Sequence, residues 1–534
     1  MSILLHNLVE RSADINPGKE ALIFKNMEMS YVELAQHIEK VARSLNFLGL
    51  SRYERVAVYL PKRFETVISF FSISKAGGVF VPVNPILKAQ QVIHILRDCN
   101  ARILITSKMR FEELEVELAR CHDLQTVILI DIDETLVKHV STINIVAWQN
   151  LLIATDKEIQ RNTIDTDMAA ILYTSGSTGK PKGVVLSHRN MVTGAHSVAQ
   201  YLDNQAEDRL LAVLPFSFDY GFSQLSTAFS AGATIVLMDY LFPQDVIKIV
   251  SQKQITGLAA VPPLWIQLAQ LPWPEEAQNS LRYITNSGGA MPVTTLKRLQ
   301  TALPRTLIFL MYGLTEAFRS TYLPPEELER RPESMGKAIP NAEILVVRED
   351  GSLCAPGEPG ELVHRGSLVA MGYWNDPEKT AVRFKSVPYQ EQGLPLHEIA
   401  VWSGDTVKMD EEGYLYFVSR KDEMIKTSGY RVSPTEVEEI IYQSGMVGEV
   451  VALGIQHPIL GQAIVAVITT ATDKPFDSDL LQTECVKKLP PYMVPALIIE
   501  RRSLPRNPNG KIDRKLLATE FSDYFNEKIT PNDI

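Results

Sequence analysis

The chain has 534 residues, 45% of them hydrophobic, and a formal net charge of −10 at pH 7. Single cores stop growing at roughly 250 to 300 residues, so at least two domains are expected. The acidic balance removes a general attraction to nucleic acid, and the basic cluster Arg501, Arg502 and Arg506 reads as a solvated face. Cys99, Cys121, Cys354 and Cys485 are too few for a disulfide framework and too scattered for a metal cluster, so they read as buried small hydrophobes in a reducing cytosol.

The first residues, MSILLHNLVERSADIN, carry no basic lead-in and only a short apolar run, which argues against a signal peptide. Further on, apolar runs alternate with longer helical patterns: RVAVYL, a helix predicted over 64–75, GVFVPVN, RILIT and VILIDI. The longest uncharged run, residues 220–238, is interrupted by Ser, Gln, Thr and Gly, so no stable membrane insertion is expected. ATIVLM, GLAAVP, YIT and LIFLMY continue the alternation. The pattern predicts an α/β chain of doubly wound sheets, with ligands gathering at the carboxyl ends of the strands. Three such ends hold informative loops: Leu172 runs into YTSGSTGKPKG, Ile284 into TNSGGAMP and Met311 into YGLTEA, and they are expected to meet in one site.

Near residue 420 the texture shifts to a compact α+β pattern, which places a domain boundary between residues 421 and 422. Beyond it, Ser433-Pro434-Thr435-Glu436 reads as a capping box, with Ser433 as N-cap, Pro434 at the first helical position and Glu436 reaching back.

In residues 173–183, YTSGSTGKPKG, hydroxyls, glycines and lysines crowd around one proline directly after an apolar strand. Such a loop offers backbone N–H groups, hydroxyls and a cation to a polyphosphate such as ATP. An ordinary P-loop is excluded: only two residues separate Gly176 from Gly179, and Pro181 rather than Ser or Thr follows Lys180.

The segment YTSGSTGKPKGVVLSH resembles the phosphate-loop signature of the AMP-forming acyl-adenylate superfamily, which includes acyl-CoA synthetases, adenylation domains of peptide synthetases and luciferases. MYGLTEA, WSGDTVKMDEEGYLYFVSRKDEMIKTSGYRVSPTEVE and LPRNPNGKIDRK are similar to the other signatures of that family, in its order and at its spacing. More closely, the sequence resembles the acyl-CoA ligases associated with bacterial exosortase A systems. The resemblance implies a large N-terminal domain of doubly wound sheets plus a β-barrel-like subdomain, and a small mobile α+β C-terminal domain. It implies a ligase that converts a carboxylic acid to a mixed anhydride with AMP and then to a thioester.

By the same resemblance, Thr174, Ser175, Gly176, Ser177, Thr178, Gly179, Lys180 and Lys182 form the phosphate-binding set, and Thr315 approaches the α-phosphate. Glu316 helps to hold Mg²⁺, Gly288, Gly289 and Ala290 line the adenine beside Tyr312 and Gly313, and Asp405 and Arg420 meet the ribose. Lys511, in the turn NPNGK, bridges the carboxylate and the α-phosphate during adenylation. The small domain then swivels about Asp422 and brings Lys426 and Gly429 to the site, glycine suiting the approach of a pantetheine arm. The implied cofactors and partners are ATP, Mg²⁺ and the phosphopantetheine thiol of coenzyme A or a carrier protein.

The acid itself is less legible. Where acyl-CoA ligases commonly carry a histidine segment, this chain reads LPFSFDYGFSQL. Phe218-Asp219 resembles the amino-acid adenylation domains, in which that aspartate receives an α-ammonium; a buried carboxylate is costly without a cation or donors. The alternative is a pocket for an aryl or fatty acid, formed by Phe216, Phe218, Tyr220 and Phe222, with Asp219 capping a helix or meeting a local donor. Phe318 and Trp265 are further candidates for the pocket, although core packing is the commoner fate of a single aromatic residue. An oxygenase that oxidises the adenylate and a nucleotide sensor without turnover remain as other readings.

Overall fold

The computed structural model describes residues 4–132, 143–153, 159, 162–174, 181–389, 393–420, 424–427, 430–457, 460–471, 476–508 and 510–525. Two sheets dominate. In the nine-stranded sheet, Leu307–Tyr312, Tyr283–Asn286, Gly257–Ala260, Arg209–Ala212, Thr234–Leu237 and Glu20–Phe24 run parallel, in that spatial order. Thr321–Leu323 and Lys337–Ala338 close one edge antiparallel, and Met27–Ser30 closes the other. In the eight-stranded sheet, Met168–Thr174, Val79–Pro82, Arg55–Tyr59, Ala101–Thr106, Thr126–Leu129 and Asn144–Ala147 are parallel, with Lys182–Ser187 and Gly372–Tyr373 added antiparallel. The parallel strands read as nearly unbroken apolar runs because both of their faces are covered.

Helices buried on nearly every side join the two sheets. Phe64–Lys75, the helix predicted from spacing, buries residues 66–74 without interruption, and Asp219–Ala231 buries residues 219–229. A helix apolar all round belongs inside a core. Phe222 stacks on Phe71 and Phe80, and Phe70 meets Phe216 edge-on, so two of the four aromatics proposed for the acid pocket serve the core instead. Trp265 is fully buried, its indole N–H donating to the carbonyls of Ala260 and Thr285, and belongs to the same core.

A five-stranded half-barrel sheet follows, built from Ala342–Val347, Pro359–Gly366, Phe384–Ser386, Ile399–Met409 and Leu415–Arg420. It is tied to the preceding part by Asn190, whose side-chain amide donates to the carbonyls of Ser367 and Val369. Gly336 sits at a second junction, at φ +86°, where an added Cβ would lie 1.8 Å from the Tyr322 carbonyl oxygen. Gly336→Ala is therefore expected to destabilise the fold by about 3 kcal/mol or more, read as a lowered urea midpoint in circular dichroism.

The small C-terminal domain carries a separate sheet of Tyr430–Val432, Ile425–Thr427, Gly461–Thr470, Val447–His457 and Leu497–Glu500. Its helix Pro434–Gln443 starts at Ser433 with Pro434 in the first turn, but the capping box does not form. The Ser433 hydroxyl donates to the Val418 carbonyl of the half-barrel sheet instead, a tertiary bond that outcompetes the local one. The basic cluster is partly neutralised, with Arg501 paired to Glu520 at 2.7 Å and Arg506 to Glu449 at 2.5 Å. All four cysteines are free thiols, with Cys99, Cys121 and Cys485 buried. Among the described residues no helix is long and apolar enough to cross a membrane.

Candidate active site

The three informative strand ends belong to two different sheets. Tyr283–Asn286 and Leu307–Tyr312 are neighbours in the nine-stranded sheet, whereas Met168–Thr174 lies in the eight-stranded one. Lys182, which opens the strand after the first loop, meets Glu316 in the third across the gap between the sheets. Lys182 Nζ lies 2.9 Å from Glu316 Oε1 and donates to the Tyr373 hydroxyl at 2.6 Å, while that hydroxyl donates to Glu316 Oε1 at 2.5 Å. Tyr373 reaches this point because Gly372–Tyr373 pairs with Val184 and Val185 next to Lys182. Burial alone would push the Glu316 carboxyl up, but the Lys182 charge and the hydrogen bonds from Tyr373 and Lys182 hold it below the usual carboxylate range.

Glu316 occupies a short turn of 3₁₀ helix, Thr315–Ala317. Among the described residues no group of three or more His, Cys, Asp or Glu could cage a metal ion by itself. A single ionised carboxylate nevertheless fits Mg²⁺, which takes one or two carboxylates and completes its shell with phosphate oxygens and water. Residues 175–180, which hold the predicted phosphate ligands Ser175, Gly176, Ser177, Thr178, Gly179 and Lys180, lie outside the described residues. At the loop's entrance, the buried Oγ1 of Thr174 has no hydrogen-bond partner among the described residues.

Asp405 sits on the long strand Ile399–Met409 and accepts from the Tyr312 hydroxyl at 2.5 Å and from Arg420 Nε at 3.0 Å. A carboxylate has about four lone-pair positions, which suits it to accept from a diol as well as from these donors. Burial followed by the Asp405 charge raises the Tyr312 phenol well above its ordinary value, keeping it a donor. Gly288, Gly289 and Ala290 form an irregular segment directly after the strand Tyr283–Asn286. A Cβ added to Gly289 would lie 3.1 Å from Pro262 Cγ, and one on Gly313 would lie 3.3 Å from Arg319 Cα.

Lys511 reaches this region from the small domain. Its Nζ lies 5.5 Å from the Phe218 ring centroid, and a Cβ on Gly288 would come within 3.1 Å of its Cε. The loop that carries it is folded on itself: Asn507 N–H donates to the Lys511 carbonyl at 2.8 Å, Lys511 N–H donates to Asn507 Oδ1 at 3.1 Å, and Gly510 takes φ +81°. Asn84, 5% exposed and two residues beyond the strand Val79–Pro82, donates its side-chain amide to the Pro508 carbonyl at 2.6 Å. This bond crosses 424 residues of sequence and clasps the Lys511 loop to the eight-stranded sheet. Of the residues expected at the hinge, Asp422 and Gly429 lie outside the described residues, and Lys426 lies on the strand Ile425–Thr427.

In the acid region, Asp219 begins a helix and lies 3.1 Å from the Thr315 hydroxyl, which donates to it. Its carboxyl is pushed up by burial, an effect opposed first by the Arg319 charge and then by that of Lys511. Tyr220 OH and Thr285 Oγ1 are 2.5 Å apart. Phe318 is fully buried against Gly194, whose added Cβ would come within 2.4 Å of the ring. The sequence reading missed Arg319, Tyr373 and Asn84. The only local signal for Arg319 was a charged residue directly after Phe318 in the stretch that follows TEA.

The model of AMP-binding enzymes matches residues 9–374, and the model of their C-terminal domain matches residues 436–511. The chain belongs to the AMP-binding enzyme family. It is 27% identical to a long-chain-fatty-acid–CoA ligase of Bacillus subtilis, over 98% of this chain and 96% of that protein. It is 28% identical to gramicidin S synthase 2 of Aneurinibacillus migulanus over 96% of this chain, but it spans only 11% of that much longer protein. The structure of o-succinylbenzoate CoA synthetase from Bacillus subtilis in complex with its acyl-adenylate intermediate superposes with a TM-score of 0.81 at 26% identity, covering 96% of this chain and 97% of the other.

Proposed function

We propose that this AMP-binding enzyme is an ATP-dependent ligase that activates a carboxylic acid as an acyl-adenylate, with release of pyrophosphate, and then transfers the acyl group to the phosphopantetheine thiol of coenzyme A or a carrier protein. The observation that carries the reading is the arrival of Lys511 from the small domain beside Phe218 and Gly288, which follow strands of the nine-stranded sheet, its turn held by Asn84, which follows a strand of the eight-stranded one. A carboxylate and the α-phosphate of ATP repel each other as they approach, and a cation held between them offsets that repulsion where charge develops. Thr315 donates toward the same region, and Asp405 with Arg420 offers acceptors and a donor to the ribose. Lys182, with the loop that precedes it, draws the β- and γ-phosphates. Glu316 would hold Mg²⁺, which when bound supplies positive charge to the departing pyrophosphate. In the second half-reaction Lys511 withdraws, and the proposed swivel about Asp422 brings Lys426 and Gly429 toward the thiol.

The acid is best read as one without an α-ammonium group. An ammonium is called for when a buried carboxylate lacks donors, and Asp219 already accepts from the Thr315 hydroxyl at 3.1 Å, with burial favouring its uncharged form. Acid-dependent exchange of pyrophosphate into ATP, with AMP as the product, tests the whole reading; formation of ADP refutes it.

The Asn84 clasp gives a finer expectation. Asn84→Ala should slow pyrophosphate exchange by about tenfold, since it frees the loop that aims Lys511. Thioester formation from supplied adenylate should not slow. Asn84→Asp, which keeps the shape but loses the donor, should behave as the alanine variant does. Equal loss in both half-reactions would show that Asn84 serves only stability.

A further inference from the structure

Arg319 is 1% exposed, and its guanidinium cannot shed its charge as a buried lysine can. Of its five N–H donors, the one hydrogen-bonded among the described residues is on Nη1, to Ser287 Oγ at 3.3 Å, and Nε has no partner. The guanidinium carbon also lies 4.7 Å from the centroid of Tyr220. Burying a fork of donors this sparsely bonded is costly, and an apolar side chain of similar volume would pack the position without that cost.

The backbone also holds Arg319 there under strain. Phe318 takes φ 56° and ψ −49°, and Arg319 N–H closes on the Ala317 carbonyl at 2.6 Å. That is a γ-turn of the rare, strained hand, here centred on a bulky residue. The turn is braced by Gly194, which leaves room for the Phe318 ring where a Cβ would not fit. Strain of this kind persists where the surrounding structure over-determines it, which is characteristic of binding and catalytic sites.

The position is specific too. Arg319 and Lys511 lie against the same two segments at different residues. Lys511 faces Phe218 and Gly288, while Arg319 faces Tyr220 and Ser287, one residue away in the second segment and two in the first. Asp219, which lies between Phe218 and Tyr220, accepts from Thr315, and among the described residues no hydrogen bond joins it to the guanidinium fork. Two cations thus bracket one short stretch, and the proposed adenylation chemistry employs only Lys511.

Resting on that reading of the reaction, we propose that the acid carries a second oxygen acceptor remote from its reacting carboxylate, best matched by a second carboxylate, and that the Arg319 guanidinium binds it. A carboxylate fits the planar donor fork with two parallel hydrogen bonds. Selection follows from the unpaired donors: an apolar end group leaves them unsatisfied, and a site built to hydrogen-bond rejects such analogues strongly.

The test is pyrophosphate exchange with the full chain across short aliphatic and aromatic dicarboxylic acids, their monoamides, and monocarboxylic acids in which a methyl group replaces the second carboxylate. The best diacid should exceed its methyl-ended counterpart by about 100-fold or more in kcat/KM. Arg319→Gln should remove most of that ratio, mainly through KM, and Arg319→Lys should restore part of it, which a packing role would not give. Arg319→Met should favour the methyl-ended acid, which also verifies that the fold has survived. A monoamide as good as the diacid assigns a neutral oxygen acceptor to the fork, and a diacid that acts alone assigns an anion; both support the proposal. A wild-type preference for methyl-ended acids, or a ratio unchanged in Arg319→Gln, overturns it and leaves the ligase reading intact. Formation of ADP, or no exchange with any acid, overturns the ligase reading itself.

Discussion

Lys511→Ala is expected to slow acyl-adenylate formation by about a hundredfold or more, the usual loss when a preorganised charge is removed from the reacting centre. The side chain ends 5.5 Å from the Phe218 ring and beside Gly288, a place it reaches only because the Asn507 to Lys511 loop is folded on itself and clasped by Asn84. The loss should appear in kcat of pyrophosphate exchange. Thioester formation from chemically prepared adenylate should fall much less, because the proposed swivel of the small domain takes Lys511 out of that step. Comparable losses in both half-reactions would contradict its assignment to the first. Lys511→Arg is a sharper variant: it keeps the charge but replaces a compact ammonium with a broad fork, and the close packing of the lysine against Gly288 leaves little room for it.

Glu316→Gln is expected to have the second largest effect, about a hundredfold in adenylation at ordinary magnesium concentrations. The exchange removes the negative charge and leaves Lys182 without its ion-pair partner at 2.9 Å. The dependence of rate on magnesium should shift to higher concentration, and that shift separates a metal-holding role from a purely structural one. A variant slowed equally at all magnesium concentrations would confine Glu316 to positioning Lys182 and Tyr373. Tyr373→Phe is the natural companion, since its hydroxyl joins the same pair from another sheet strand.

Much of the scaffold could be read locally. The helix Phe64–Lys75 and the strand Leu307–Tyr312 follow from apolar spacing and β-rich composition, which act over a few residues. The turn at Gly510 was legible because turn chemistry is local as well. The Ser433 capping box failed for the opposite reason: the Val418 carbonyl, 15 residues earlier, captured the hydroxyl that a local rule assigned to the helix. The aromatic run at residues 216–222 was read as one pocket wall, but helical periodicity turned Phe222 toward Phe71 and Phe80, while Phe218 faces Lys511.

The site divides along the same line. The resemblance of short segments to the motifs of a known family pointed to Lys182, Glu316, Asp405, Arg420 and Lys511, together with the class of chemistry, and the residue types of those segments suit a phosphate, a metal or a sugar. What needed the folded chain was pairing: Tyr373 meets Lys182 across 191 residues, and Asn84 meets Pro508 across 424. Arg319 lies close in sequence to Thr315, yet its burial, its strained approach and its unspent donors emerge only when two sheets and the Phe318 ring are packed around it. Local patterns encode which groups a segment offers. Strand register, sheet order and the packing of buried side chains decide which of those groups face one another, and no short pattern carries that information.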